Sequence, residues 1–393
     1  MQRLARPISP VTERPLPAVL LNSVTEVRGL TLRTRQPLEF HQSIPGYSPT
    51  PVRDASKLAR RLGIERLLIK DESQRLGLPA FKILGASWAV FGALKSRYPA
   101  RLGASRTLHD MAGRLQGESE VTLVTATDGN HGRALAHVAS LLKLPAIVYV
   151  PKHTSKARIA AIELEGASVV VCAGGYDAAV AEATDSADAR RIVVSDTSWN
   201  NYEELPRLIS EGYSTMFWEI EDWIEDTRSK PPDLVVVQIG VGALAMAVIN
   251  HFRQAPWAPR ILGVQPTRAA SAIESLRAGR IVSLPGIQDS IMVGLNCGTP
   301  SRVAWPLMST GIDAFATVKD ATAMDAVKSL AADGITSGET GAAGVAGLIE
   351  VLCGSRSDEL RAALRITGES CVLAISTEGV TDPMTHQSAM ESR

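Results

Sequence analysis

The sequence predicts an α/β protein built as two doubly wound, mostly parallel-sheet lobes, and two alternations carry that prediction. Over residues 121–171, VTLVTA, AIVYVP and ASVVVC read as strands separated by the helical stretches DGNHGRALAHVASLLKL and SKARIAAIELEG. A second alternation runs through RIVVSDTS, a long helical stretch over residues 202–223, LVVVQIG, a helix from Ala243, and ILGVQP. Strands joined by helices of this length need crossover connections, so their partners run parallel. With 393 residues, 45% of them hydrophobic, the chain can bury the cores that two such lobes require.

Taken in order, the first 23 residues break their short apolar piece with Pro15 and Pro17 beside Arg3, Arg6 and Arg14, which reads as a loose arm and not a secretion signal. GYSPTPV (46–52) is held extended by Pro49 and Pro51. DASKLARRLGI is a short helix with Asp54 as its N-cap and Gly63 as its stop. ERLLIKDES then supplies a buried strand over 67–70. In LGLPAFKILGASWAV (76–90), a Gly/Pro loop turns into a helix at Lys82. Residues 101–120 are polar and weakly patterned, and read as a surface excursion; the polar tail after Pro383 reads as frayed. No fixed-period repeat or low-complexity tract occurs.

Charge and cysteine usage narrow the function classes. Balanced charge, 41 Lys+Arg against 41 Asp+Glu, argues against a nucleic-acid partner. No apolar run approaches the ~18 residues of a membrane span. Cys172, Cys297, Cys353 and Cys371 lie far apart without CxxC spacing, so reduced thiols in a cytoplasmic protein, and no metal site, are expected.

Chemistry is expected at Lys82 and at three strand ends. A lysine on a rigid helix start can be partly desolvated, which favours the neutral amine that attacks carbonyls. Lys70 is the rival amine, but Asp71 and Glu72 follow it and favour its charged form. At 125–132 (TATDGNHG), small residues let backbone N–H groups converge on an anion such as a carboxylate, unless Thr127 or Asp128 only caps the helix. At 238–245 (QIGVGALA), a glycine turn opening a helix suits a phosphate. The same turn matches the G-x-G-x-x-A of dinucleotide folds, but GVQP ends the next strand without the acid a ribose needs. At 374–379 (AISTEG), two hydroxyls end an apolar strand, where a hydroxyl can bond a heteroaromatic nitrogen without protonating it.

An amine, an anion nest, a phosphate cradle and a hydroxyl-bearing strand end together match the aldehyde, substrate carboxylate, phosphate and pyridine nitrogen of pyridoxal 5'-phosphate chemistry. The chain resembles the fold-type II pyridoxal-phosphate enzymes, and among them the diaminopropionate ammonia-lyases, through GYSPTP, KDESQRLGLPAFKILGA, TATDGNHGRALA, SDTSW, GVGALA, IMVGLNCG, SGETGAAG and ISTEG, in that order. The resemblance implies that Lys82 carries the cofactor as a Schiff base and that Asn130 meets its phenolic oxygen. It implies that Gly240, Val241, Gly242, Ala243 and Leu244 hold the phosphate, and that Ser376 or Thr377 faces the pyridine nitrogen. Thr127 and His131 fall where the family binds the substrate carboxylate, and Asp128 and Asp196 where it keeps active-site acids, whereas Asp196 in isolation reads as a turn residue. Met246 after GVGALA and SWNNYEELP after Asp196 depart from the family pattern and bear on the pocket more than on the reaction.

The expected reaction is α,β-elimination of ammonia from 2,3-diaminopropionate, giving pyruvate and a second ammonia. The alternatives are a serine/threonine dehydratase, a β-replacement enzyme, or a non-catalytic nucleotide-binding protein. Residues 1–85 with 197–393 are expected to form a large cofactor-binding lobe and residues 86–196 a small one, with the cofactor in the cleft between them. A small amino-acid substrate and a homodimer complete the expectation.

Overall fold

The computed structural model describes residues 16–23, 26–115, 121–127, 129–383 and 386–387. Most of the N-terminal arm, the end of the C-terminal tail and Asp128 therefore lie outside the described residues. Eleven strands occur among the described residues: β1 (Val19–Leu21), β2 (Val52–Asp54), β3 (Arg66–Asp71), β4 (Thr122–Ala126), β5 (Ala146–Val150), β6 (Ser168–Val171), β7 (Arg191–Val193), β8 (Leu234–Gln238), β9 (Arg260–Pro266), β10 (Ala314–Val318) and β11 (Cys371–Ser376). They form a seven-stranded sheet, β1-β10-β9-β8-β11-β3-β2, and a four-stranded sheet, β6-β5-β4-β7. The second is parallel throughout; in the first only the two edge strands, β1 and β2, are antiparallel.

Central parallel strands are covered on both faces, which is why they read as unbroken apolar runs. Every residue of β8 and β11 is buried. Along β8, Val235 and Val237 enter one core while Leu234 and Val236 enter another. The second of these cores is closed by helix Glu339–Cys353. The first is continuous from the large sheet to Leu123, Val148 and Val150 of the small one, because helix Lys82–Arg97 lies between them. That helix crosses helix Glu204–Gly212 closely: a Cβ on Gly85 would sit 2.6 Å from the Tyr213 ring.

Four local expectations are corrected. The arm is not loose throughout, because Val19–Leu21 pairs with Ala314–Ala316 as an edge strand. Asp54 ends β2 and pairs with Arg66 at 2.9 Å; Ala55, not Asp54, precedes helix Ser56–Leu62, although Gly63 does stop it in the left-handed region at φ 61°. Residues 202–223 are two helices, Glu204–Gly212 and Ser214–Thr227, meeting at Tyr213. Within 101–120, residues 108–115 are no surface excursion: helix Leu108–Leu115 buries Leu108, Met111 and Leu115, an i, i+3, i+7 stripe on a short helix. Residues 116–120 lie outside the described residues.

A buried ionic cluster fixes the approach to Lys82. Arg75 bonds both Glu72 (2.6 Å) and Glu219 (2.7 Å), and Lys70 bonds Glu219 at 2.6 Å and the Thr50 carbonyl at 2.7 Å. Tyr47 donates to Glu219 at 2.6 Å. Burial opposes ionisation of Glu219, but Arg75 and Lys70 overcome it and hold the carboxyl at about 2. Lys70 is thus hydrogen-bonded across the fold to Glu219, while Asp71 turns to Arg53 and Glu72 to Arg75. Burial lowers the lysine's pKa against the pull of Glu219 and Glu72, so the charged form expected from its chain neighbours is corrected.

Candidate active site

Four parallel strands, β4, β7, β8 and β11, deliver their carboxyl ends to one cavity, the place where open α/β sheets bind ligands. Its lining includes Lys82, Thr127, Asn130, His131, Asp196, Gly240, Val241, Gly242, Ala243, Leu244, Thr377 and Glu378. Residues from both sequence alternations thus meet around a single space.

Lys82 is the first residue of helix Lys82–Arg97. The preceding loop is fastened to the end of β11 by bonds from Phe81 N to the Thr377 carbonyl (3.3 Å) and from Gly379 N to the Pro79 carbonyl (2.9 Å). Lys82 Nζ lies 2.6 Å from Asp196 Oδ2, and the Tyr176 hydroxyl donates to Asp196 Oδ1 at 3.2 Å. Burial disfavours the charged lysine, yet the Asp196 carboxylate outweighs it and drives the ammonium above its ordinary range. Burial likewise opposes the carboxylate, and the Lys82 charge overcomes it to hold Asp196 at about 2. The neutral amine expected from desolvation is therefore corrected: without a carbonyl partner, Lys82 is an ammonium in an ion pair.

Gly129, at φ 149°, leads into helix Asn130–Leu142, and its N–H donates to Thr127 Oγ1 at 2.9 Å. Thr127 thus steadies the turn while keeping its own hydroxyl hydrogen for an acceptor. His131 Nε2 lies 2.9 Å from the Val194 carbonyl, so this nitrogen carries the hydrogen. Burial lowers the ring's pKa and keeps it neutral. Its Nδ1 is then an acceptor, with no hydrogen bond among the described residues, and has no hydrogen to offer a carboxylate.

Helix Ala243–Phe252 opens onto the cavity at Gly242, φ 107°, with no side chain capping its N-terminus. A Cβ on Gly242 would lie 2.6 Å from Met308 Sδ, so both the conformation and the space require glycine. An uncapped, ten-residue helix N-terminus of this kind suits a phosphate. On β11 the two hydroxyls part: Ser376 Oγ bonds Ser337 Oγ at 2.8 Å, whereas Thr377 accepts from Gln238 Nε2 at 3.0 Å and faces the cavity.

The family model described as "Pyridoxal-phosphate dependent enzyme" matches residues 44–377. The chain belongs to that family. This pyridoxal-phosphate dependent enzyme is 34% identical over 361 residues to a diaminopropionate ammonia-lyase of Salmonella typhimurium, covering 88% of this chain and 89% of that one. It is 34% identical over 353 residues to the Escherichia coli (strain K12) enzyme of the same name, covering 88% and 87%. Within the family the chain is therefore a member of the diaminopropionate ammonia-lyases. The crystal structure of the Escherichia coli diaminopropionate ammonia lyase in complex with D-serine superposes with a TM-score of 0.87 at 30% identity, covering 95% of this chain and 96% of that one. The same lyase in complex with an aminoacrylate-PLP azomethine reaction intermediate gives 0.84.

The enzyme's cavity fits its cofactor: an amine for the aldehyde, an uncapped glycine turn for the phosphate and a cavity-facing hydroxyl for the ring nitrogen. Tyr176, Cys297 and Glu378 are among the lining residues to which the sequence assigned no role. Tyr176 begins an ordinary amphipathic helix, Cys297 reads as a buried thiol, and Glu378 reads as a polar turn residue after Ser-Thr. Asp128 lies outside the described residues.

Proposed function

We propose that this lyase removes ammonia from 2,3-diaminopropionate by α,β-elimination, with pyridoxal phosphate between the lobes formed by residues 1–85 with 197–393 and by residues 86–196. The observation that carries the proposal is the Lys82–Asp196 pair, 2.6 Å apart, in the same cavity as the uncapped 240–244 turn. When bound, the cofactor supplies an aldehyde that captures the substrate amine and a ring that spreads the charge left at Cα. The Lys82 amine would then be the base for the Cα proton. A lysine protonated in this way faces Asp196, so the pair is a relay for delivering a proton to the β-amino group. That group must leave as ammonia and needs an acid; Asp196 is one candidate and Asp128 the other. The enamine formed hydrolyses to pyruvate and a second ammonia.

The binding roles we propose combine the family resemblance with the local geometry. The 240–244 backbone takes the phosphate, Asn130 the phenolic oxygen, and Thr377, in preference to Ser376, the pyridine nitrogen. The Thr127 hydroxyl and the backbone N–H groups at the start of helix Asn130–Leu142 take the substrate carboxylate; on this reading His131 contributes through its backbone and not its ring.

Keto-acid and ammonia release should be measured from D- and L-diaminopropionate, serine and threonine. Diaminopropionate is expected to give two ammonia per pyruvate; preferential turnover of serine or threonine would transfer the protein to the dehydratases. Replacing Asp128 with Asn should affect the two enantiomers unequally if Asp128 takes the proton of one of them, and equal, small losses would remove it from the chemistry. No helix among the described residues is long and apolar enough to cross a membrane, and no disulfide joins the cysteines among them. A cytoplasmic setting is the one we propose, to be tested by cell fractionation. A homodimer is the assembly we propose, to be tested by light scattering.

A further inference from the structure

The end of β11 carries an acid that the reaction above does not use. Glu378 is 2% exposed, lines the cofactor cavity, and bonds Asn130 Nδ2 through Oε2. Its backbone is bolted down on three sides. It bridges Ala80 in the loop before Lys82, its carbonyl accepts from Gly338 N at 3.0 Å, and the neighbouring Gly379 N reaches the Pro79 carbonyl. The glycines of SGETGAAG make this arrangement possible. A Cβ on Gly338 would meet the Gly379 carbonyl and come within 3.2 Å of Glu378 Oε1, and one on Gly341 would lie 2.6 Å from the Glu378 carbonyl. Two blocks remote in sequence, SGETGAAG and ISTEG, are thereby locked together around one carboxyl.

Asn130 belongs to the element after β4 in the small sheet, and Glu378 to the end of β11 in the large one. The bond between them therefore crosses the cleft. An amide nitrogen carries two hydrogens, so one given to Glu378 leaves the other for an acceptor in the cavity. We propose that Glu378 is a positioning residue for the cofactor: it orients the Asn130 amide so that its second N–H is presented to the phenolic oxygen. The proposal rests on the reading of Asn130 given above. Burial pushes the Glu378 carboxyl above its usual range, with the Arg158 charge opposing, so a neutral side chain of the same shape can stand in for it. The Thr340 hydroxyl also bonds this carboxyl and the Arg158 charge lies near it, while the Asn130 bond is the one that ties it to the cavity-facing amide across the cleft.

The test is the dissociation constant of pyridoxal phosphate from the apoprotein, followed by quenching of tryptophan fluorescence, with apoprotein melting as a check on folding. Asn130→Ala should weaken binding about tenfold, the order expected for one hydrogen bond to a charged oxygen. Glu378→Asp, one methylene too short to span the cleft, should weaken it comparably, and Glu378→Gln should restore it. The double variant Asn130→Ala with Glu378→Asp should bind no worse than Asn130→Ala alone, because the second residue acts through the first. An unchanged constant for Asn130→Ala would remove the reading of Asn130. A loss for Asn130→Ala, combined with no loss for Glu378→Asp or with additive losses in the double variant, would overturn the role of Glu378.

Discussion

Lys82 Nζ and Asp196 Oδ2 are 2.6 Å apart although 114 positions separate them in the chain: Lys82 opens a helix whose preceding loop is fastened to the large sheet, and Asp196 follows β7 of the small one. Each partner sustains the charge of the other against burial. Beside the Asp196 carboxylate the Lys82 ammonium is favoured over the neutral amine, so on the proposed reading capture of an aldehyde by Lys82 requires loss of a proton.

Replacing Asp196 with Asn removes the charge that sustains that ammonium, leaving burial to lower the lysine's pKa. The apoprotein of this variant should capture pyridoxal phosphate at a lower pH than the wild type, seen as a shift of the binding-rate profile toward acid. Its turnover should fall by about 10²–10⁴, the range for losing a positioned acid or base. In the wild type, the depressed Asp196 pKa adds stability that is fully present above the ordinary carboxylate range. That stability is lost as pH falls toward about 2. The acid-side decline of apoprotein melting temperature should therefore be shallower in Asp196→Asn; identical acid limbs would show that the pair contributes no such term.

The buried cluster sets a different expectation. Glu219 bonds both Arg75 and Lys70, whose side chains are at most 1% exposed, so Glu219→Gln removes the carboxylate that the two share in a closed interior. A loss of about 3–5 kcal/mol in urea unfolding is expected. Tyr47→Phe, which removes one neutral donor to the same carboxylate, should cost only about 1 kcal/mol. Similar losses in the two variants would mean that Arg75 and Lys70 find water or another partner.

What the sequence disclosed and what it concealed follow from range. Strands β4, β5, β8, β9 and β11 were legible because parallel strands covered on both faces leave apolar runs. Lys82 and the 240–242 turn were legible because a loop-to-helix junction and paired glycines are local signals. Asp196 was reached only through the family resemblance, because locally it reads as a turn residue, and the role of Glu378 was not legible at all; only the meeting of two sheets gives each a cation or an amide to face. Glu219 lies 149 positions from Lys70, and no spacing rule links a helical glutamate to a strand lysine at that distance. Helix Leu108–Leu115 failed to register for the opposite reason: its apolar stripe is clear, but at eight residues with Gly113 inside it the helix is short and set in a polar stretch.

The two hydroxyls that end β11 can be told apart. Ser376 bonds Ser337 away from the cavity, while Thr377 faces it with Gln238 donating to its oxygen. Thr377→Ala should weaken cofactor binding and shift the bound cofactor's absorbance, whereas Ser376→Ala should leave both near wild type. The reverse ranking would place the pyridine nitrogen against Ser376.

Gly242 offers the sharpest steric test of the phosphate cradle. Its φ of 107° is strained for any residue with a side chain, and the added carbon would press on Met308 Sδ at 2.6 Å. Gly242→Ala should thus cost about 1–3 kcal/mol in backbone strain at the turn itself. The damage should concentrate on the phosphate: affinity for pyridoxal phosphate should fall by at least about tenfold, while the variant's reaction with unphosphorylated pyridoxal through Lys82 should change little. Adding Met308→Ala removes the atom in the way but not the unfavourable φ, so recovery in that double variant should be partial. Complete recovery would assign the requirement for glycine to space alone, and equal losses for pyridoxal and its phosphate would move the phosphate away from this helix start.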